Sequence, residues 1–177
     1  AATQASGAID ILVNNAGIAS SKRVLDWQGA DWDDVMETNL RGAWMVAAAV
    51  ASQMRERDAS GSIINIASIL GERVGSGVMP YAVSKAGLVQ MTKAMALELA
   101  GKGIRVNALA PGYIKTDINR DFLQSEGGLR LLKRIPQGRF GEPDDLDGAL
   151  LLLASDGSKF INGAVIAVDG GHLVSSL

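Results

Sequence analysis

Cysteine is absent from the 177 residues, and histidine occurs once, at His172. The first absence excludes disulfides and thiolate metal sites and suits a reducing, cytoplasmic setting. The second argues against a multi-histidine metal centre or a Ser-His triad, so no metal site is expected. Charge of either sign is in small excess only. The 17 Lys and Arg residues against 19 Asp and Glu give a net charge of -2, and they are interspersed, so no basic face for nucleic acid is evident. No apolar run approaches the length of a membrane span. The first residues, Ala1 to Gly7, have neither the basic nor the apolar region of a signal peptide. What remains is one domain, residues 1–177, large enough for a substantial core.

Four short apolar runs end in turn-forming residues: Ile9 to Val13, Ser62 to Ala67, Ile104 to Ala110 and Val165 to Val168. Such runs are the mark of buried parallel strands. Residues 1 to 8 read as a frayed end or a linker. Between the strands, Asp31 is expected to cap a helix, with Asp33 and Asp34 in its first turn. Met36, Leu40, Ala43, Trp44, Ala47, Val50, Ala51 and Met54 then recur at helical spacing. A second long helix is expected from Tyr81 to Ala100, stopped by Gly101-Lys102-Gly103. Asp117 to Lys133 reads as two short lid helices broken at Gly127-Gly128, and Pro143 opens a last helix reaching about Ala154. Strands alternating with helices give an α/β fold with a parallel sheet.

Chemistry enters at Tyr81-Ala82-Val83-Ser84-Lys85. Four residues apart near a helix start, Tyr81 and Lys85 share one face, about 6 Å apart along the axis. A neighbouring ammonium is expected to pull the phenol below its usual pKa, towards acid–base work. Alone, such a pair is an ordinary surface feature. Its company is not ordinary: Ser68 follows the second strand, Asn14-Asn15-Ala16-Gly17 the first, Pro111-Gly112 the third, and Asn39 sits within a helix it disfavours. Ligands of open parallel sheets bind outside those carboxyl ends. With these motifs in this order, the chain resembles the short-chain dehydrogenase/reductase family over its whole length.

The resemblance implies the carboxyl-terminal part of a doubly wound, Rossmann-type sheet and an oxidoreductase using NAD or NADP on a small carbonyl/alcohol substrate. It assigns catalysis to Asn39, Ser68, Tyr81 and Lys85. Tyr81 would donate the proton, Ser68 stabilise the substrate oxygen, Lys85 hold the nicotinamide ribose, and Asn39 position a relay water. Cofactor contacts would come from Asn14, Ala16, Gly17, Tyr81, Lys85, Pro111, Gly112, Ile114 and Thr116. In the family Asn14 lies beside the adenine ribose and knits the central strands, while the backbone near Ile114 and the Thr116 hydroxyl hold the carboxamide. The two long helices would pair with those of another subunit, giving a dimer or tetramer. His172 is expected at a subunit contact or in solvent rather than in catalysis.

The family opens with a strand, a TGxxxGxG turn and a helix, and these residues are not in the sequence. Two readings follow: a piece of an ordinary enzyme, or a product that serves as a non-catalytic or oligomerising partner. The filled catalytic positions favour the first. Segments such as Ala110 to Asp117 and Arg139 to Pro143 look like members acting on sugar acids such as gluconate, with 3-oxoacyl thioester reduction as the rival. Arg73 has two readings, a solvated surface group or the partner of an anionic substrate. An inward Arg73 or Arg120 in a small pocket would favour the sugar acid.

Overall fold

The apolar runs form a four-stranded, wholly parallel sheet in a computed structural model that describes residues 7–117 and 119–175. Most of the expected N-terminal linker lies outside the described residues. The strands are β1 (Ile11–Asn14), β2 (Gly61–Ile66), β3 (Ile104–Pro111) and β4 (Val165–Val168), side by side in chain order. Each starts or ends within two residues of its apolar run. The register pairs Asn14 with Asn65 and Asn65 with Ala108, so the carboxyl ends of the strands form one rim.

Helices cover both faces, as the alternation of side chains requires. On one face Ile63, Ile104 and Val106 pack with Ala47, Val50, Ala51 and Met54 of α2 (Ala43–Glu56) and Ala96 of α3 (Met79–Leu99). On the other, Ile64 and Leu109 pack against Leu153 of the closing helix, α6 (Asp147–Ala154). A one-residue step along β2, from Ile63 to Ile64, therefore changes which layer a side chain serves. The outer edge of β1 is unpaired among the described residues, and Ile11 and Val13 are exposed there. No helix among the described residues is long and apolar enough to cross a membrane.

Three local expectations are corrected. Helix α1 (Gly29–Met36) begins two residues ahead of Asp31, which sits at its third position. There its carboxylate accepts a bond from the Gln28 N–H at 3.0 Å and pairs with Lys22, the reciprocal capping arrangement. The lid breaks at Ser125, not at Gly127-Gly128, giving α4 (Arg120–Gln124) and α5 (Glu126–Leu132). Ser125 caps α5 by accepting from Gly128 N–H at 3.2 Å. Gly128 serves closeness instead: a Cβ there would strike the Leu123 and Phe122 carbonyl oxygens. Trp44, placed on the apolar stripe of α2, is half exposed.

Between α1 and α2 the chain from Glu37 to Gly42 winds as a π-helix, which a steady 3.6-residue count does not anticipate. Asn39 lies inside this stretch and is fully buried.

Candidate active site

The rim formed by the strand ends carries the site. Asn14, last residue of β1, donates its amide to Asn65 Oδ1 at 2.9 Å and to the Ala43 carbonyl at 3.1 Å. Asn65 in turn donates to Thr92 Oγ1 at 2.8 Å, and Thr92 donates to the Leu88 carbonyl. A buried polar chain thus ties β1 to β2 and both to α3. Asn65 and Thr92 gave no functional signal in the sequence; buried polar residues facing each other across a sheet are found only once the register is known.

Past β1 the chain turns over Gly17, and Asn39 holds that turn. Its Oδ1 accepts from the Ile18 N–H at 2.8 Å and its Nδ2 donates to the Ile18 carbonyl at 2.9 Å. The same Nδ2 reaches Ser84 Oγ at 3.1 Å, and Ser84 donates to the Tyr81 carbonyl at 2.7 Å. One side chain links the turn after β1 to the first turns of α3. The π-helical winding sets it there, and such windings gather at functional sites.

Ser68 follows β2 in extended backbone and caps a short turn at Ile69–Gly71. Its Oγ accepts from the Leu70 N–H at 3.1 Å, which leaves its own O–H for another acceptor. Burial raises the Tyr81 phenol above its ordinary value, and the nearby Ser68 hydroxyl opposes that rise. The expected lowering by Lys85 is not present: the amine lies 5.6 Å from the Tyr81 ring centroid and is spent elsewhere. Lys85 is buried, donates to the Ile66 carbonyl at 2.7 Å, and is pushed down by burial to about 8. The phenol is therefore protonated at neutral pH.

That buried amine makes stability depend on pH. An unfolded lysine titrates near 10.5, so between about 8 and 10.5 the unfolded chain holds a proton that the folded chain has released. Stability attributable to this group therefore rises with pH across that window and is level below it. We expect the unfolding free energy of the wild type, minus that of Lys85→Met, to climb by up to a few kcal/mol between pH 8 and 10.5. Denaturant titrations at the two ends measure it, and a flat difference refutes the burial argument.

The remaining candidates line the rim. Pro111 ends β3, and a Cβ on Gly112 would lie 2.8 Å from Asp169 Cα, so the C-terminal turn packs directly on this glycine. Ile114 pairs as an isolated bridge with Gly141, and Asn119 braces the segment by accepting from Thr116 N–H at 3.0 Å and donating to the Ile114 carbonyl at 2.8 Å. Thr116 is exposed. Gly17 stands directly over the centre: a Cβ there would meet Asn39 Oδ1 at 3.4 Å and Lys85 Nζ at 3.6 Å. Ala16 precedes it on the same exposed turn.

One residue sits differently from expectation. His172 is buried in the chain's own C-terminal turn, its ring 5.7 Å from that of Tyr113, with Nδ1 lacking a partner among the described residues. Arg120 forms an exposed pair with Asp117 and is not directed inward as an unpaired cation. An open groove of about 740 Å³ is lined by Ser21–Val24, Gly75–Gly77 and Met79 and does not include Ser68, Tyr81 or Lys85.

A family model described as Enoyl-(Acyl carrier protein) reductase matches residues 1–172. The chain is 44% identical over 168 residues to a 3-oxoacyl-[acyl-carrier-protein] reductase of Thermotoga maritima, covering 95% of this chain and 68% of that protein. It is also 44% identical to the 2-dehydro-3-deoxy-D-gluconate 5-dehydrogenase of Escherichia coli K12, covering 94% of this chain and 66% of the relative. A gluconate 5-dehydrogenase from Burkholderia cenocepacia, solved with NADP and tartrate, superposes with a TM-score of 0.94 at 42% identity, covering 98% of this chain and 68% of that one. The chain thus spans about two thirds of the length of these relatives. With these matches running over nearly its whole length, it belongs to the short-chain dehydrogenase/reductase family of nicotinamide-dependent oxidoreductases.

Proposed function

We propose that this site interconverts a carbonyl and a secondary alcohol, using NAD or NADP. The observation that carries the reading is the pairing of a protonated, half-buried Tyr81 phenol with a Ser68 hydroxyl whose oxygen already accepts a backbone N–H. Two O–H donors near one point are what an oxygen gaining negative charge requires.

A nicotinamide cofactor fits the residues present, because Gly17 leaves a cradle over Lys85 Nζ and Asn39 that any side chain would fill. Lys85 would hold its ribose hydroxyls, with Ala16 and Gly17 giving backbone room. Ile114 and Thr116 would take the carboxamide beside Pro111 and Gly112, and Asn14 would lie on the adenosine side. When bound, the nicotinamide supplies or accepts the hydride. In reduction, Tyr81 gives its phenolic proton to the substrate oxygen while Ser68 donates a hydrogen bond to the same atom. Lys85, held on the Ile66 carbonyl, has no part in lowering the Tyr81 phenol. Asn39 keeps the Ile18 turn and α3 in register, and the water relay assigned to it would run beside that turn.

The substrate is a sugar acid in the main reading and a 3-oxoacyl thioester in the rival one; relatives of both names are equally similar. A homo-oligomer, dimer or tetramer, is supported by exposed Trp44, Met45 and Val46 on α2 and Leu97 on α3. The cysteine-free composition supports a cytoplasmic setting. The test is fluorescence titration of the chain with NADH and NADPH, followed by turnover of gluconate and of a 3-oxoacyl thioester. Saturable binding with turnover of either upholds the reading; a folded chain that binds neither nucleotide overturns it for this chain.

A further inference from the structure

Arg73 lies on the loop between β2 and α3, five residues beyond Ser68, and the mechanism above leaves it unused. It is half buried. Its Nη1 donates to the His172 carbonyl and to Ser175 Oγ at 3.2 Å. Both partners are neutral, and Arg73 forms no ion pair among the described residues. The neighbouring carboxylate, Asp169, is engaged by the Gly171 and Leu173 N–H groups, at 2.8 and 2.6 Å. A partly desolvated guanidinium with neutral acceptors only, and with Nε and Nη2 unbonded among the described residues, is suited to receive a planar anion through two parallel bonds.

Its position relative to the reacting centre is set by aromatic rings. His172, whose carbonyl Arg73 holds, has its ring 5.7 Å from that of Tyr113, tilted by 38°. Tyr113 follows Gly112 on the rim; burial raises its phenol, nearby Tyr81 adds to the rise and the Arg73 cation opposes it. Tyr113 is thus within electrostatic reach of both Tyr81 and Arg73, and Ser68 begins the loop that bears Arg73.

Resting on the oxidoreductase reading, we propose that Arg73 is the carboxylate-binding residue of this site, so that the substrate is a small hydroxy or oxo acid rather than a neutral thioester. The acid's reacting oxygen meets Ser68 and Tyr81, and its carboxylate meets the free edge of the Arg73 guanidinium beyond Tyr113. The strap to His172 and Ser175 pre-sets the guanidinium, which limits the ordering cost on binding.

The experiment compares gluconate with gluconamide, equal in shape but neutral, in the wild type, Arg73→Gln and Ser175→Ala. Arg73→Gln is expected to lower kcat/KM for gluconate roughly 30-fold further than for gluconamide, as befits the loss of a charge-assisted hydrogen bond. Ser175→Ala removes one strap bond and keeps the cation, so it should retain the preference for gluconate. Tartrate should raise the Tm of the wild type and of Ser175→Ala, but not that of Arg73→Gln. Equal losses on both substrates, or an equal tartrate response in Arg73→Gln, would reduce Arg73 to a strap and overturn the proposal. A tartrate response that needs Arg73, without turnover of either compound, would keep the anion site and count against the oxidoreductase reading. Turnover of the amide alone, with no tartrate response, would do the reverse.

Discussion

Tyr81→Phe is expected to lower kcat by about 10³-fold while leaving nucleotide binding and folding essentially as they are. The substitution removes one oxygen from a half-buried ring whose neighbours are otherwise unchanged. The lost group is the proton donor, held protonated by burial and faced by Ser68. Lys85 does not replace it, because its amine is bound to the Ile66 carbonyl. Steady-state turnover with either nucleotide measures the fall. A loss of less than tenfold would move the proton to another donor, and Tyr113 would be the next to replace.

Asn39→Leu is expected to destabilise the fold by about 3 kcal/mol, a Tm fall of roughly 6–12 °C for a chain of this size. Its amide makes three hydrogen bonds in a fully buried setting, two of them to the main chain of Ile18. Leucine satisfies none of them and leaves the Ile18 N–H and carbonyl stranded. Asn39→Asp separates the roles of the two ends, keeping the acceptor for Ile18 N–H and losing the donor to Ile18 and Ser84. Thermal unfolding followed by circular dichroism decides it. A Tm unchanged in Asn39→Leu would show that the turn after β1 is held by something other than this side chain.

The sheet was legible because each strand is a short apolar run closed by turn formers, and burial on both faces leaves few other places for such a run. Ser68, Tyr81 and Lys85 were legible as types at fixed spacing. Their electrostatics were not: the reading of Lys85 as a cation acting on Tyr81 assumed a free side chain, and the Ile66 carbonyl takes it. Asp31 was misplaced by three positions because a carboxylate serves equally well at the cap and at the third position of a helix. The lid break was placed on glycines when Ser125 makes it, since Gly128 answers to a steric demand from Leu123 and Phe122 that no local pattern records. His172 was assigned outward for want of a partner in sequence; its partner, Tyr113, is 59 residues away by numbering and 5.7 Å away in space.

The π-helical stretch from Glu37 to Gly42 acts as a phase shift in an otherwise continuous rod. Each residue of an α-helix advances the rotation by about 100°. Deleting one residue here, so that regular winding resumed, would leave α1 keyed to its own surroundings and rotate α2 by that angle against the sheet. Either Asn39 would lose the Ile18 turn, or Ala47, Val50 and Met54 would swing off the core while Trp44 swung in. A one-residue length change in this stretch is thus harsher than most substitutions within it, and insertion–deletion scanning from Met36 to Ala43 would find a sharp minimum of tolerance there.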